Sequence, residues 1–376
     1  MKYYLIAGEA SGDLHGSLLM KELENADADA QFRFWGGDLM QQEGGTLVKH
    51  YRDLAFMGFV EVLGNLRTIF KNITDCKKDI EQFAPDVIIY IDYPGFNFRI
   101  MKWARTHGYR NHYYISPQIW AWKENRIKAI KRDVDEMYVI LPFEKEFYEQ
   151  KHQFPVHFVG HPLIDAISQR EQVDHEKFLK KYQLDDRPLI ALLPGSRKQE
   201  IRSMLGIMLQ VIQSYPGYQF VIAGAPGQEK EFYNTFLEKY DVHLIMNRTY
   251  DLLSLSHAAL VTSGTATLET ALFKVPQVVC YKGSKISYHI AKRIIKLDYI
   301  SLVNLIMDRP VVTELIQNEF KTQNVKKELQ HILDPSHRNK IFADYYSLEK
   351  KLGGVGASEK TAQLIYKSIE SKHDEL

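Results

Sequence analysis

Glu9, Ser11 and Asp13 crowd into a small turn, Gly8-Glu9-Ala10-Ser11-Gly12-Asp13, directly after the apolar run Tyr3–Ala7. The run reads as a strand, and a helix is expected from about Gly12. Helix N-termini favour anions, but two carboxylates in the turn would repel a phosphate. The chemistry expected here is recognition of sugar hydroxyls, or acid/base work. The competing reading is a capped strand-to-helix turn with Ser11 or Asp13 as N-cap. Asp92 stands in the same way after Val87–Ile91, in Ile91-Asp92-Tyr93-Pro94-Gly95-Phe96-Asn97. It could take the proton of an attacking hydroxyl, or simply shape the turn before Pro94.

Two further clusters suit an anion. In Leu193-Pro194-Gly195-Ser196-Arg197, Gly195 permits close backbone approach, Ser196 offers donors, and Arg197 offers a planar fork to a diphosphate. Thr262-Ser263-Gly264-Thr265-Ala266-Thr267-Leu268-Glu269 places small hydroxyl residues at another helix start. Leu268 stands where a capping box begun by Thr265 would need an acidic partner. Glu269 follows about one turn into the helix, where a carboxylate can accept two hydrogen bonds from a ribose diol. Trp120 and Trp122, in Ser116-Pro117-Gln118-Ile119-Trp120-Ala121-Trp122, can stack on sugars or acyl chains or pack in the core. His161, in Gly160-His161-Pro162, could reach a pyrophosphate or hydrogen-bond the backbone. Asn304 lies in an apolar setting where its amide needs partners. Asp133-Val134-Asp135 has a metal-binding spacing but leads into a strand, and is read as solvated surface. No metal site or cofactor is expected, and no Gly-x-x-x-x-Gly-Lys loop is present.

These residues need strands to end beside them. Strands are expected at Tyr3–Ala7, Phe32–Gly36, Val87–Ile91, His112–Ile115, Met137–Leu141 and Val156–Val159, with helices between. A charged helical stretch, 169–186, separates them from a second series: Leu189–Leu193, Gln219–Ala223, His243–Ile245, Ala258–Val261 and Gln277–Tyr281. The alternation predicts an α/β protein of two doubly wound, Rossmann-like halves facing a cleft. The domains are expected at 1–167 and 168–345, with a helical tail, 346–376, packing on the first domain or on a partner chain. Length supports two cores: 376 residues, 45% hydrophobic and 25% charged. A net charge of +1 argues against nucleic-acid binding. Two distant cysteines, Cys76 and Cys280, fit a reducing compartment. The opening apolar run is about five residues, too short for a signal peptide, and nothing approaches the roughly 20 apolar residues of a membrane span. Lys285–Leu297 reads as a basic amphipathic helix, with Lys285, His289, Lys292 and Lys296 beside an isoleucine stripe. With the apolar segment Phe56–Leu63 it could form a rim on an anionic membrane surface, or pack its stripe on the core.

Taken together and in order, the motifs resemble the lipid-A-disaccharide synthase family. They are Gly8-Glu9-Ala10-Ser11-Gly12-Asp13, Met57-Gly58-Phe59-Val60-Glu61-Val62-Leu63, Ser116–Trp122, Leu141-Pro142-Phe143-Glu144, Leu193–Arg197 and Ser263-Gly264-Thr265-Ala266. The resemblance implies a GT-B glycosyltransferase that joins UDP-2,3-diacylglucosamine to 2,3-diacylglucosamine 1-phosphate. It implies inversion to a β-1′,6 bond, release of UDP, and no metal. It implies work in Gram-negative lipid A synthesis, peripheral on the cytoplasmic face of the inner membrane, and allows a homodimer through the tail. By resemblance Asp92 is the general base, with Glu9, Ser11 and Asp13 beside it. Met57, Glu61, Trp120, Trp122 and His161 fall on the acceptor and lipid side. Gly195, Ser196, Arg197, Ser263, Gly264, Thr265, Glu269 and Asn304 would hold UDP. Gly95 stands where the family often has a second Asp, so Asp92 carries the base role alone. The alternatives are a UDP-sugar 2-epimerase on the same fold and an idle nucleotide-sugar sensor.

Overall fold

Strand β1 (Lys2–Ala7) lies in the interior of a seven-stranded sheet, where its residues from Tyr3 onward are buried. The computed structural model describes residues 1–54, 66–237, 240–283 and 298–373. The first sheet also contains β2 (Gln31–Gly36), β3 (Thr46–His50), β4 (Val87–Ile91), β5 (Asn111–Tyr114), β6 (Glu136–Val139) and β7 (His157–Phe158), in the order β3-β2-β1-β4-β5-β6-β7. Every pairing is parallel. The second sheet holds β8 (Leu189–Leu193), β9 (Gln219–Gly224), β10 (His243–Met246), β11 (Ser256–Thr262), β12 (Gln277–Tyr281) and β13 (Thr313–Ile316), in the order β10-β9-β8-β11-β12-β13. It too is all parallel. Continuous apolar strands such as VIIYI and LIALL are what two helix-covered faces demand.

In each sheet the chain runs outward from its first strand, then returns to that strand's other side. The winding reverses between β1 and β4, and again between β8 and β11. Beyond the carboxyl ends of strands at such a reversal, two loops diverge and leave a crevice. The four segments singled out from the sequence, after β1, β4, β8 and β11, are these loops.

The edge strands β3 and β13 were not expected. Both are short, polar and only partly covered, so neither carries an apolar run. The chain divides into Met1–Gln169 with Leu352–Leu376, and Arg170–Lys351. The helix Pro335–Lys351 therefore stays with the second sheet. The helix Ala357–His373 packs on the helix Ala10–Ala26 of the first. Asp165 fastens it, accepting from the Gly356 N–H at 2.7 Å and the Ser358 N–H at 2.8 Å. The first core is rich in tyrosines whose hydroxyls are partnered: Tyr4 donates to Asp79 and Tyr90 to Asn111, each at 2.8 Å. Among the described residues no helix is long and apolar enough to cross a membrane.

Candidate active site

At the first reversal, Asp92 and Tyr93 both adopt left-handed backbone conformations, φ 44° and 47°. Two successive non-glycine residues there are strained, at about 1–3 kcal/mol each, and the surroundings hold them. The Asp92 N–H donates to the Tyr114 carbonyl at 3.1 Å. The Asp92 carbonyl accepts from Asn97 Nδ2 at 2.6 Å and Tyr113 Oη at 2.7 Å. The Tyr93 ring lies against Gly8, where a Cβ would come within 2.3 Å of it. Gly8 thus fits the first loop beneath the second. Asp92 itself is half-buried. Burial, then the Glu9 carboxylate, push its carboxyl up to about 7, against a lowering by the Tyr93 N–H. A carboxylate that exchanges its proton near neutrality is matched to general base work.

Glu9 and Ser11 are exposed in the first loop, and the Glu9 side chain caps nothing. Asp13 faces the other way. It is 3% exposed, and its oxygens accept from the Gly37, Leu39 and Met40 N–H groups at 2.7, 3.1 and 3.1 Å. The catalytic role expected of Asp13 gives way to an anchoring one: its charge is spent on the start of the helix Asp38–Gln42.

Glu144, which the sequence reading quoted but gave no role, organises the ends of β5 and β6. It is fully buried, and Ser116 Oγ (2.6 Å), Trp120 Nε1 (3.1 Å) and the Ile140 and Leu141 N–H groups (3.2 and 2.9 Å) all donate to it. Burial still drives its pKa upward against those donors. Trp120 is therefore fixed by a hydrogen bond and by its edge-on contact with Phe143. Trp122 is 43% exposed, with Lys123 and Arg126 over its ring. His161, placed on the acceptor side by resemblance, is buried and caps the helix Pro162–Ser168 through Nδ1, which accepts from the Leu163 N–H at 3.2 Å. Asp133 is buried and paired with Arg132, so it is not the solvated surface expected, whereas Asp135 is exposed and pairs with the exposed Arg105. Met57, Glu61 and the segments Phe56–Leu63 and Lys285–Leu297 lie outside the described residues.

At the second reversal, Gly195 takes φ 107°, a left-handed value that favours glycine, and a Cβ there would crowd Glu200 at 2.8 Å. The Ser196 and Arg197 N–H groups both donate to Glu200 Oε2 at 3.3 Å, and Arg197 Nη1 approaches Glu200 Oε1 at 3.3 Å. These are the donors expected to meet a diphosphate, and a carboxylate already occupies them. The pairing is exposed and weak, so little free energy holds these donors on Glu200. After β11, Gly264 and Thr265 are exposed at the start of the helix Thr265–Leu272. The Ser263 hydroxyl donates to the Ile300 carbonyl at 2.9 Å. Glu269 is half-buried, accepts from Tyr250 Oη at 2.8 Å, and is pushed upward in pKa by burial.

Asn304, expected to hold UDP, is instead consumed by the fold. Its Nδ2 donates to the Val312 carbonyl and to Glu314 Oε1, each at 2.9 Å. Its Oδ1 accepts from the Val311 and Val312 N–H groups at 2.8 and 2.9 Å. An amide has two donors and two good acceptor sites, so nothing remains for a ligand. The sequence reading also missed Glu200 and Tyr250. Glu200 and Glu144 were detectable as the third residue of a helix, the position that reaches back to the first free amides.

A family model described as lipid-A-disaccharide synthetase matches residues 3–367. A lipid-A-disaccharide synthase of Geobacter metallireducens is 38% identical, with 98% of this chain and 97% of that one aligned. Its counterpart in Coxiella burnetii is 36% identical, over 97% of this chain and 98% of that one. Among solved structures, a UDP-GlcNAc 2-epimerase from Neisseria meningitidis bound to UDP-GlcNAc superposes with a TM-score of 0.71 at 15% identity, covering 98% of this chain and all of that one. The glycotransferase of kitacinnamycin does so with a TM-score of 0.65 at 11% identity, covering 98% and 99%. These structural likenesses establish the fold, shared by GT-B transferases and epimerases. The sequence likeness separates the two: this chain belongs to the lipid-A-disaccharide synthetase family.

Proposed function

We propose that this protein transfers the diacylglucosaminyl group of UDP-2,3-diacylglucosamine to the 6-hydroxyl of 2,3-diacylglucosamine 1-phosphate. Asp92 removes the hydroxyl proton as the oxygen attacks the anomeric carbon. The C–O bond to the diphosphate breaks on the opposite face, so the centre inverts to a β-1′,6 linkage and UDP leaves. The Ser196 and Arg197 amides, the Arg197 guanidinium and the helix start at Gly264–Thr265 offset the charge on the departing diphosphate. Glu269 receives the ribose diol. Glu9 and Ser11 line the acceptor side, with Trp120 and Trp122 on the sugar or its acyl chains. Both substrates are amphiphiles, so the reaction belongs at the cytoplasmic face of the inner membrane of a Gram-negative cell.

The observation that supports this most is Asp92: a carboxyl near neutrality in its titration, at the carboxyl end of β4, in a family whose members make the lipid A disaccharide. The test is a micellar assay with both substrates and EDTA, read by mass spectrometry. Disaccharide 1-phosphate and UDP are the expected products. Turnover of UDP-N-acetylglucosamine to its 2-epimer, with no disaccharide, would replace the transferase with the epimerase.

A further inference from the structure

We infer that Tyr250 is a positioning residue for donor recognition, holding the Glu269 carboxylate charged and aimed for the ribose diol; this rests on the reading that Glu269 receives that diol. Tyr250 is on the helix Thr249–Leu255, which follows β10, while Glu269 is on the helix that follows β11. The two meet through one hydrogen bond, Tyr250 Oη donating to Glu269 Oε1 at 2.8 Å. Among the described residues it is the hydrogen bond that fixes Glu269. The donor is itself clamped. The Tyr250 ring packs on Phe273 with centroids 5.4 Å apart, and the Arg170 guanidinium lies over Phe273 at 5.2 Å. Arg170 is held in turn by Asp251 at 2.9 Å.

The chemistry follows from what a carboxylate needs. Glu269 sits where burial favours its neutral form, and the phenol is the group that opposes this. Ionised, the carboxylate accepts from both ribose hydroxyls while Tyr250 uses one further lone pair of Oε1. Protonated, or free to rotate, it cannot receive both. Removing the phenol oxygen should therefore cost the ribose contact while leaving the diphosphate contacts at Ser196 and Arg197 intact.

The discriminating probes are UDP and 2′-deoxy-UDP, whose affinities are measured by calorimetry across pH 5–8 on the full chain. In the native protein UDP should bind about tenfold or more tightly than the deoxy nucleotide, the usual worth of a hydrogen bond to a charged group. Glu269→Gln should collapse that ratio, and Tyr250→Phe should collapse it nearly as far with an unchanged melting temperature. The pH at which UDP preference is lost should also rise in Tyr250→Phe, and the double variant should match Glu269→Gln alone. A full native ratio and pH midpoint in Tyr250→Phe, with a collapsed ratio in Glu269→Gln, overturns the inference and spares the reading of Glu269. A native ratio in Glu269→Gln overturns both. If Tyr250→Phe melts lower, Phe273→Leu separates the roles: it loosens the same packing but keeps the phenol, and should retain most of the ratio. Equal loss in both variants would reduce Tyr250 to packing.

Discussion

Asp92 holds a proton to a pH far above that of an ordinary carboxyl, and this has two consequences of opposite sign. For catalysis, a base with its midpoint near 7 gives an acidic limb in kcat/KM centred there. Asp92→Asn should cut kcat by about 10²–10⁴-fold while leaving UDP affinity in place. Glu9→Gln removes a neighbouring negative charge that raises the midpoint, so the limb should move to lower pH. For stability, the folded state binds the proton more tightly than the unfolded one. The carboxyl therefore stabilises the fold at low pH, and that contribution is lost as pH rises from about 4 through 7. Asp92→Asn should then be more stable to urea than the native protein at pH 8, by no more than about 4 kcal/mol for a shift of this size. A variant no more stable than the native protein at pH 8 would mean that burial does not penalise the Asp92 charge. Asn304 makes the contrasting case, a polar residue used only for folding. Asn304→Asp would set a carboxylate against Glu314 and the Val312 carbonyl. Urea unfolding should show a loss of about 2–3 kcal/mol, with UDP affinity of the folded fraction unchanged. Lost UDP affinity at native stability would return Asn304 to the nucleotide site.

At the scale of elements, the strand ends were legible and the directions of the side chains on them were not. Central strands such as β4 and β8 announce themselves because both faces are buried, and so do the loops that follow them. Edge strands β3 and β13 carry no such run and went unseen. Whether a polar residue at a strand end faces a ligand or the fold depends on neighbours far along the chain. Asp13 meets Gly37, Asn304 meets Glu314, and Glu144 meets Ser116, and no local spacing encodes those encounters. Gly8 shows the same limit. It reads as one of several turn glycines, yet the structure gives it a particular task, to admit the Tyr93 ring. Gly8→Ala should force that ring away and disturb the strained pair Asp92–Tyr93, at about 1–3 kcal/mol of stability. Activity should fall with it, and Tyr93→Ala in the same chain should recover stability by making room. No recovery in the double variant would mean that Gly8 serves the backbone of the first loop rather than its packing.

For the molecule as a whole, titration should separate the two units. The unit around the first sheet buries three imidazoles that burial keeps neutral, with pKa lowered to about 4 for His15 and His112 and about 3 for His161. His15 and His161 face each other edge-on with centroids 6.3 Å apart, near the Asp165 clamp that secures the C-terminal helix. In the unfolded chain each imidazole takes up its proton near pH 6.5. Between there and the folded values the unfolded state binds more protons, so the stabilisation is whole above pH 6.5 and falls away as pH drops toward 4. At pH 5 the loss is roughly 2 kcal/mol for each buried histidine. All four tryptophans, Trp35, Trp103, Trp120 and Trp122, belong to this unit, so tryptophan fluorescence follows it alone. Its urea midpoint should drop between pH 7.5 and pH 5, the loss from the three imidazoles outweighing the opposite contribution of Asp92. His161→Asn, which keeps a capping acceptor but cannot titrate, should flatten that drop by about one histidine's share. A native midpoint that does not move with pH would mean that these imidazoles reach solvent, and that the C-terminal helix is not sealed over the histidine pair on which Asp165 closes it.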